Sequence, residues 1–137
     1  MDIETAKIAD LAPDPANART HDGKNLAAIA GSLKRFGQQK PIVVDSNGIV
    51  RAGNGTLDAA RDLGWETIEI IRTDLAGSEA TAYAIADNRT AEMAAWDDAV
   101  LTATLNGLAT DDEALLDAAG FTEAELDSML AAASAED

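Results

Sequence analysis

Cysteine is missing from this 137-residue sequence. Its absence excludes disulfides, thiolate chemistry and a Cys-ligated zinc. Histidine occurs once, as His21. With one histidine and no thiol, no Cys-His pair can form, and the GxSxG elbow, the Walker lysine motif and HExxH are all missing. No apolar run approaches the ~20 residues of a membrane span. The opening MDIETAKIAD has neither the basic flank nor the apolar stretch of a signal peptide. The expected location is therefore cytoplasmic, with no membrane partner. Positive charge is scarce in one half only. Residues 1–72 sum to −1, whereas residues 73–137 hold Arg89 as their sole Lys or Arg and sum to −14. DNA binding depends on neutralising phosphates. So acidic a coat disfavours DNA as a partner and suits a basic protein.

What is present fits one soluble domain: 47% of residues are apolar and 26% charged. The stretch IVRAGNGTLDAARDLGW (49–65) reads as strand, glycine turn and helix. Gly53-Asn54-Gly55-Thr56 is a turn for which Gly and Asn are suited, because they reach positive φ cheaply. Thr56 or Asn54 is the expected N-cap, Leu57, Ala60 and Leu63 the apolar face, and Gly64 the stop. Such a turn aims unpaired N–H groups at one spot, and the helix dipole favours an anion there. A plain strand-to-helix connection with no ligand is the alternative.

Residues 3–11 form an expected edge strand, and the prolines of LAPDPANART (11–20) make an extended or turn segment. His21 falls in the loop that follows and reads as an exposed loop residue. Leu26, Ile29, Leu33 and Phe36 share one helical face over 24–36, and Gly37 ends that helix. Strands are expected at 41–45 and 48–52 around a Ser46-Asn47-Gly48 turn, and at 67–72. An Ala-rich helix over 77–93 carries a polar island, Ala86-Asp87-Asn88-Arg89-Thr90. An Asp can help hold Mg²⁺ and an Arg can grip phosphate; a local Asp–Arg surface pair is the other reading. Helices follow from Trp96-Asp97-Asp98 onward, at 114–119, and from Thr122, whose Glu125 completes a capping box. Residues 131–137 are expected to fray. The fold class is α+β: a single domain with a small mixed sheet and the glycine loop in 1–72, and acidic helices in 73–130.

Four pieces in order resemble the ParB/sulfiredoxin-like domains, in particular the free-standing "ParB-like nuclease" domains of phages and prophages. They are LAPDPANART (11–20), FGQQKPIVVD with GIVRAGNGTLDAARDLGW (36–45 and 48–65), IADNRTAEMAAWD (85–97) and GFTEAELDSML (120–130). The resemblance implies a nucleotide-binding fold with helices around a small mixed sheet. In partition ParB proteins the domain binds CTP, and relatives include an ADP-dependent serine kinase and ATP-using sulfiredoxins. The implied cofactor is CTP or ATP with Mg²⁺, its phosphates on Gly53, Asn54, Gly55 and Thr56. By position, Arg19 resembles the arginine of the first motif and Gln39 the glutamine before the Pro-Ile strand. Asp87, Asn88 and Arg89 are similar to the acidic-Asn motif near metal and triphosphate, with Asp87 toward the metal.

Partition proteins carry Glu-Arg-Arg after the first loop glycine and many phage relatives His-Gly-Arg, where this chain has Asn54-Gly55-Thr56. Sulfiredoxin activity is excluded for want of cysteine. Three readings stand. The chain is a nucleotide-binding module of phage or plasmid DNA metabolism or partition, with slow hydrolysis or phosphoryl transfer as its chemistry and a homodimer as its assembly. Or it is a nuclease-like accessory protein. Or it is a ParB-like fold kept as an interaction module for a basic partner. The charge distribution makes one prediction at once. In a fluorescence-anisotropy titration at ~150 mM salt, duplex DNA should not bind more tightly than about 1 μM, since even non-specific binders reach only ~10⁻⁴–10⁻⁶ M there.

Overall fold

The computed structural model describes residues 1–17 and 19–135. Ala18, inside the first motif, and Glu136 and Asp137, at the end of the expected frayed tail, lie outside the described residues. The chain falls into two compact units, Met1–Met93 and Ala94–Asp137.

The first unit is an α+β layer. β1 (Ile3–Lys7) is followed by a 3₁₀ turn at Ile8–Asp10, then β2 (Ala12–Pro13), α1 (Gly23–Phe36), β3 (Ile42–Val44), β4 (Ile49–Ala52), α2 (Asn54–Asp62), β5 (Thr67–Arg72) and α3 (Gly77–Met93). The five strands form one mixed sheet in the order β1-β5-β3-β4-β2. β1/β5 and β3/β4 run antiparallel, whereas β3/β5 and β4/β2 run parallel. The expected edge strand at 3–11 is thus split. Leu11 returns its N–H to Ile8 O at 3.1 Å, and Ala12 then pairs beside β4. Pro13 is tolerated because β2 is an edge.

Alternation along the strands puts Ile42, Val44, Val50, Ile68 and Ile70 on one buried face, where they meet Leu33 of α1 and Leu57 and Ala60 of α2. Asp22 caps α1 by accepting from Asn25 N at 2.7 Å, and Gly37 ends it with φ 73°. The hairpin turn at 46–48 is held by the Asp45 carboxylate, which accepts from Asn47 N at 2.8 Å and Ile49 N at 3.0 Å. Gly48 has φ 80°, and a Cβ there would stand 2.9 Å from Asp10 O.

β1 pairs with Glu69 through Thr5, but β3 begins only at Ile42 opposite Ile70, so on its β3 side β5 lacks a strand partner at Glu69. Gln38 fills the gap. Its amide accepts from Glu69 N at 2.9 Å and donates to Glu69 O at 2.9 Å and to Lys40 O at 3.0 Å. The neighbouring Gln39 is exposed and donates to Phe36 O at 2.6 Å.

The second unit is helical: α4 (Asp98–Asp111), α5 (Glu113–Ala118) and α6 (Glu123–Ala135). Leu105, Leu116 and Leu126 form its core, with Leu101, Leu108, Phe121, Met129 and Leu130 against them. The capping box forms as expected: Glu125 N donates to Thr122 Oγ1 at 3.1 Å, and Thr122 N donates to Glu125 Oε1 at 3.0 Å. α6 runs on through Ala135, past the expected start of fraying at Ala131. Residues 131–135 are four alanines and a serine, and alanine has the highest helix propensity. Among the described residues, no helix is long and apolar enough to cross a membrane.

The two adjacent glutamines give a direct test. Gln38→Ala strands the N–H and C=O of Glu69 and should cost about 1–3 kcal/mol in urea unfolding. Gln39→Ala, on an exposed side chain, should stay within ~0.5 kcal/mol of wild type.

Candidate functional site

The β4–α2 junction is built around Gly53, which sits at φ 103° and is the N-cap of α2. The cap is therefore neither Asn54 nor Thr56. Gly53 brings no side chain to the helix end, and the first intrahelical bond is Leu57 N to Gly53 O at 2.9 Å. The N–H groups of Asn54, Gly55 and Thr56 have no acceptor within the helix, as at any helix start. Gly53 is also a packing glycine. A Cβ there would lie 2.8 Å from Ile42 Cβ and closer still to Cγ2, so the position requires glycine with or without a ligand.

Asn54 faces inward. It is buried, donates to Val50 O at 2.9 Å and accepts from Asp14 N at 3.1 Å. It therefore pins the start of α2 to the turn after β2. Gly55 is buried, and the His21 ring lies on it: a Cβ at 55 would be 2.6 Å from Cε1 and 2.9 Å from Nε2. His21 is thus half-buried and not the exposed loop residue expected; its Nδ1 is hydrogen-bonded to Asn25 Oδ1. A side chain at 55 would have to push the imidazole aside. Thr56 is half-buried on the same first turn.

Of the remaining expected site residues, Arg19, Gln39, Asp87 and Arg89 are exposed and Asn88 is half-buried. Arg19 pairs with Glu92 at 3.5 Å, which brings the first motif to the last turn of α3. Arg89 is exposed three residues earlier on the same helix, hence on neighbouring surface. Asp87 is exposed, and Asn88 donates back to Ala84 O at 3.3 Å. The polar island at 86–90 is a continuous helical stretch, not a turn. Burial and then the Asp87 charge raise the Tyr83 pKa above the ordinary phenol value. Gln39 stays at the end of α1. The structure brings Arg19 to the helix carrying Arg89. It joins 53–56 to Asp14 and His21, which sequence reasoning did not assign to the site. Among the described residues no three His, Asp or Glu side chains converge on a point where a metal could sit.

A buried ion cluster adjoins the junction. Arg51 of β4 donates to Asp45 Oδ2 at 2.9 Å and to Asp14 Oδ2 at 3.1 Å, and its side chain is only 12% exposed. Asp14 also accepts from Ala16 N at 2.8 Å. Arg51 and Asp14 form the polar wall of a cleft of about 640 Å³ whose other side is the first two turns of α3, with Ser78, Thr81 and Ile85. One signal for this cluster was in the sequence, namely a lone Arg in an apolar strand with Asp at the strand's hairpin end. Burial alone would raise the Asp45 pKa. The hydrogen bonds from Ile49 N, Arg51 and Asn47 N, with the Arg51 charge, outweigh it and leave the carboxyl below its usual value.

Comparison with known proteins places this geometry among relatives. Residues 1–89 match the model of the ParB N-terminal domain. The "ParB-like nuclease domain-containing protein YnaK" of Escherichia coli (strain K12) is 34% identical over 64 residues, spanning 47% of this chain and 74% of that protein. Among solved structures, the C-terminally truncated chromosome-partitioning protein ParB from Caulobacter crescentus complexed with CTP-gamma-S superposes with TM-score 0.79 at 19% identity. That match covers 94% of this chain and 77% of the other. A Pnob8-like ParB-N domain gives TM-score 0.56 at 17% identity, over 82% of this chain and 49% of that one. The Caulobacter crescentus protein complexed to the centromeric parS site gives 0.54 at 19% identity, covering 92% of this chain and 69% of that one.

The depressed Asp45 pKa fixes a sign for acid stability. The folded state binds the Asp45 proton more weakly than the unfolded chain, whose Asp titrates near ~3.9. Its contribution is therefore full above that pH and is lost as pH falls through the lower folded pKa. Asp45→Asn should melt lower than wild type at pH 7, and the gap should narrow below about pH 4. Asp45→Ala, which leaves Arg51 with Asp14 alone, should cost about 3 kcal/mol by chemical unfolding at neutral pH.

Proposed function

The chain belongs to the ParB N-terminal domain family, and on that premise we propose that it binds a nucleoside triphosphate of the CTP or ATP type with Mg²⁺, its phosphates against the first turn of α2. The observation that carries this reading is the Gly53 cap. It brings no side chain to the helix end, so three first-turn N–H groups and the positive end of the helix dipole are available to an anion. Asn54, tied to Val50 and Asp14, holds those groups in a fixed place. Arg19 and Arg89 supply the cations that Asn54-Gly55-Thr56 lacks, and Asn88 and Gln39 complete the expected polar set. The site would hold Mg²⁺ chiefly through phosphate oxygens, with Asp87 as its protein-side carboxylate. In a chain of net charge −15, a metal that offsets the triphosphate charge also lowers the repulsion of binding. That the similar Caulobacter crescentus ParB was solved with CTP-gamma-S supports the ligand class. The role that follows is in phage or plasmid DNA metabolism or partition, with slow hydrolysis or phosphoryl transfer and nucleotide-dependent homodimers. The interaction-module reading draws on two different observations, the second unit's acidity and its exposed Trp96.

Thermal melts with CTP, ATP, GTP and UTP, each with and without Mg²⁺, test the nucleotide reading. One nucleotide at a hundred times its Kd should add ~2.7 kcal/mol of stability. Arg19→Ala and Arg89→Ala should keep the ligand-free melting temperature, since an exposed pair contributes only ~0–1 kcal/mol, and lose most of the ligand shift. No shift with any nucleotide at millimolar concentration overturns the proposal and leaves the interaction module. A full shift in both Arg variants moves the site away from α3.

A further inference from the structure

Residues 94–137 contain 11 Asp and Glu and no Lys, Arg or His. Within this second unit, α4 and α6 leave an open groove of about 560 Å³. Its walls are small or pliable: Ala99 and Thr102 on α4, Met129 and Ala132 on α6, with Asp98 and Ser128 at the polar margin. The Thr102 hydroxyl already donates to Asp98 O at 2.7 Å, so it can meet an apolar partner without losing a bond. Val100, next to Ala99, is 61% exposed, and Trp96 is 69% exposed. Trp96 is not loose; its ring stands edge-on to Phe121 with centroids 6.2 Å apart. Trp96 is not part of the groove lining but leaves an apolar ring face exposed on the same unit.

We propose that the α4–α6 groove binds a basic amphipathic helix of a partner protein, its apolar face on Ala99, Met129 and Ala132 and its Lys and Arg residues drawn to Asp98 at the groove margin and to the other carboxylates of this cation-free unit. The shape selects a helix. Two packed helices present the groove that a third fills with side chains at i, i+3, i+4 and i+7, and among its described residues the unit has no strand edge for an extended peptide to join. Small walls let the incoming backbone come close, and Met129 adapts to the side chains it meets. The charge selects the sign. With no cation in 94–137, the same face of a second copy is repelled, as are anionic lipid and nucleic acid. This inference does not depend on nucleotide binding in the first unit.

A synthetic Leu/Lys amphipathic helix is the probe, with two controls: the same composition scrambled so that Leu and Lys share every face, and a Leu/Glu version. Binding to the full chain is read by anisotropy of the labelled peptide and by the ¹³C-methyl signal of Met129. The amphipathic peptide should shift the Met129 methyl and bind at least tenfold tighter than the scrambled one, and the Leu/Glu peptide should not bind. Ala132→Trp fills the groove at an exposed position without altering charge, and should weaken binding at least tenfold with an unchanged circular-dichroism spectrum. Equal binding of the scrambled peptide would show diffuse charge attraction and overturn the proposal. So would a Met129 methyl that does not move at saturation, a readout that needs no variant.

Discussion

A single guanidinium organises the first unit. Arg51 is almost out of water, and a charge in that position must be paired. Its two partners come from different parts of the chain, Asp14 from the turn after β2 and Asp45 from the β3–β4 hairpin. Each partner carries a further duty. Asp45 holds its own turn through Asn47 and Ile49, and the Asp14 backbone N–H meets Asn54 at the start of α2. The hairpin, the edge strand and the candidate anion site are thus linked through one side chain. Buried ion pairs add little net stability compared with an apolar core. What this one adds is position: it sets where Gly53 and the first turn of α2 stand relative to the sheet.

Local pattern was legible wherever it sufficed. The strand at 67–72, the helix at 77–93 and the Thr122–Glu125 box follow from period, breakers and capping chemistry, and appear where expected. The family resemblance rested on motifs in order, and the mixed sheet with its helical second part agrees with it. Contacts between residues far apart in sequence were not legible. Gln38 and Gln39 are identical letters in tandem, and only the open β3-side edge of Glu69, 31 residues away, decides which one is built into the sheet. Asn54 looked like a turn former and a cap. Its actual bonds reach Asp14, 40 residues back, which no local rule could indicate. His21 was assigned to solvent because loop histidines usually are exposed; the flat space over Gly55 that receives it belongs to the folded chain alone.

The glycine loop illustrates how two constraints can share one residue. Its positive φ was expected from composition, and Gly53 has it. The close approach, by contrast, is made by Ile42 of the neighbouring strand. A glycine that packing demands is by its φ alone uninformative about ligands, so the functional reading rests on the first turn that the Gly53 cap leaves free of any side chain.

The cation-free stretch from Ala94 onward has a consequence for chemistry done on this protein by others. The chain's four lysines, Lys7, Lys24, Lys34 and Lys40, all lie in the first unit. Acetylation, ubiquitin attachment and any amine-directed cross-link must therefore fall there, leaving the helical unit beyond the reach of lysine signalling. Trypsin, which cuts after Lys and Arg, has its last site at Arg89. Residues 90–137, the last four residues of the first unit with the whole of the second, therefore stay on one uncut, strongly anionic stretch in a digest.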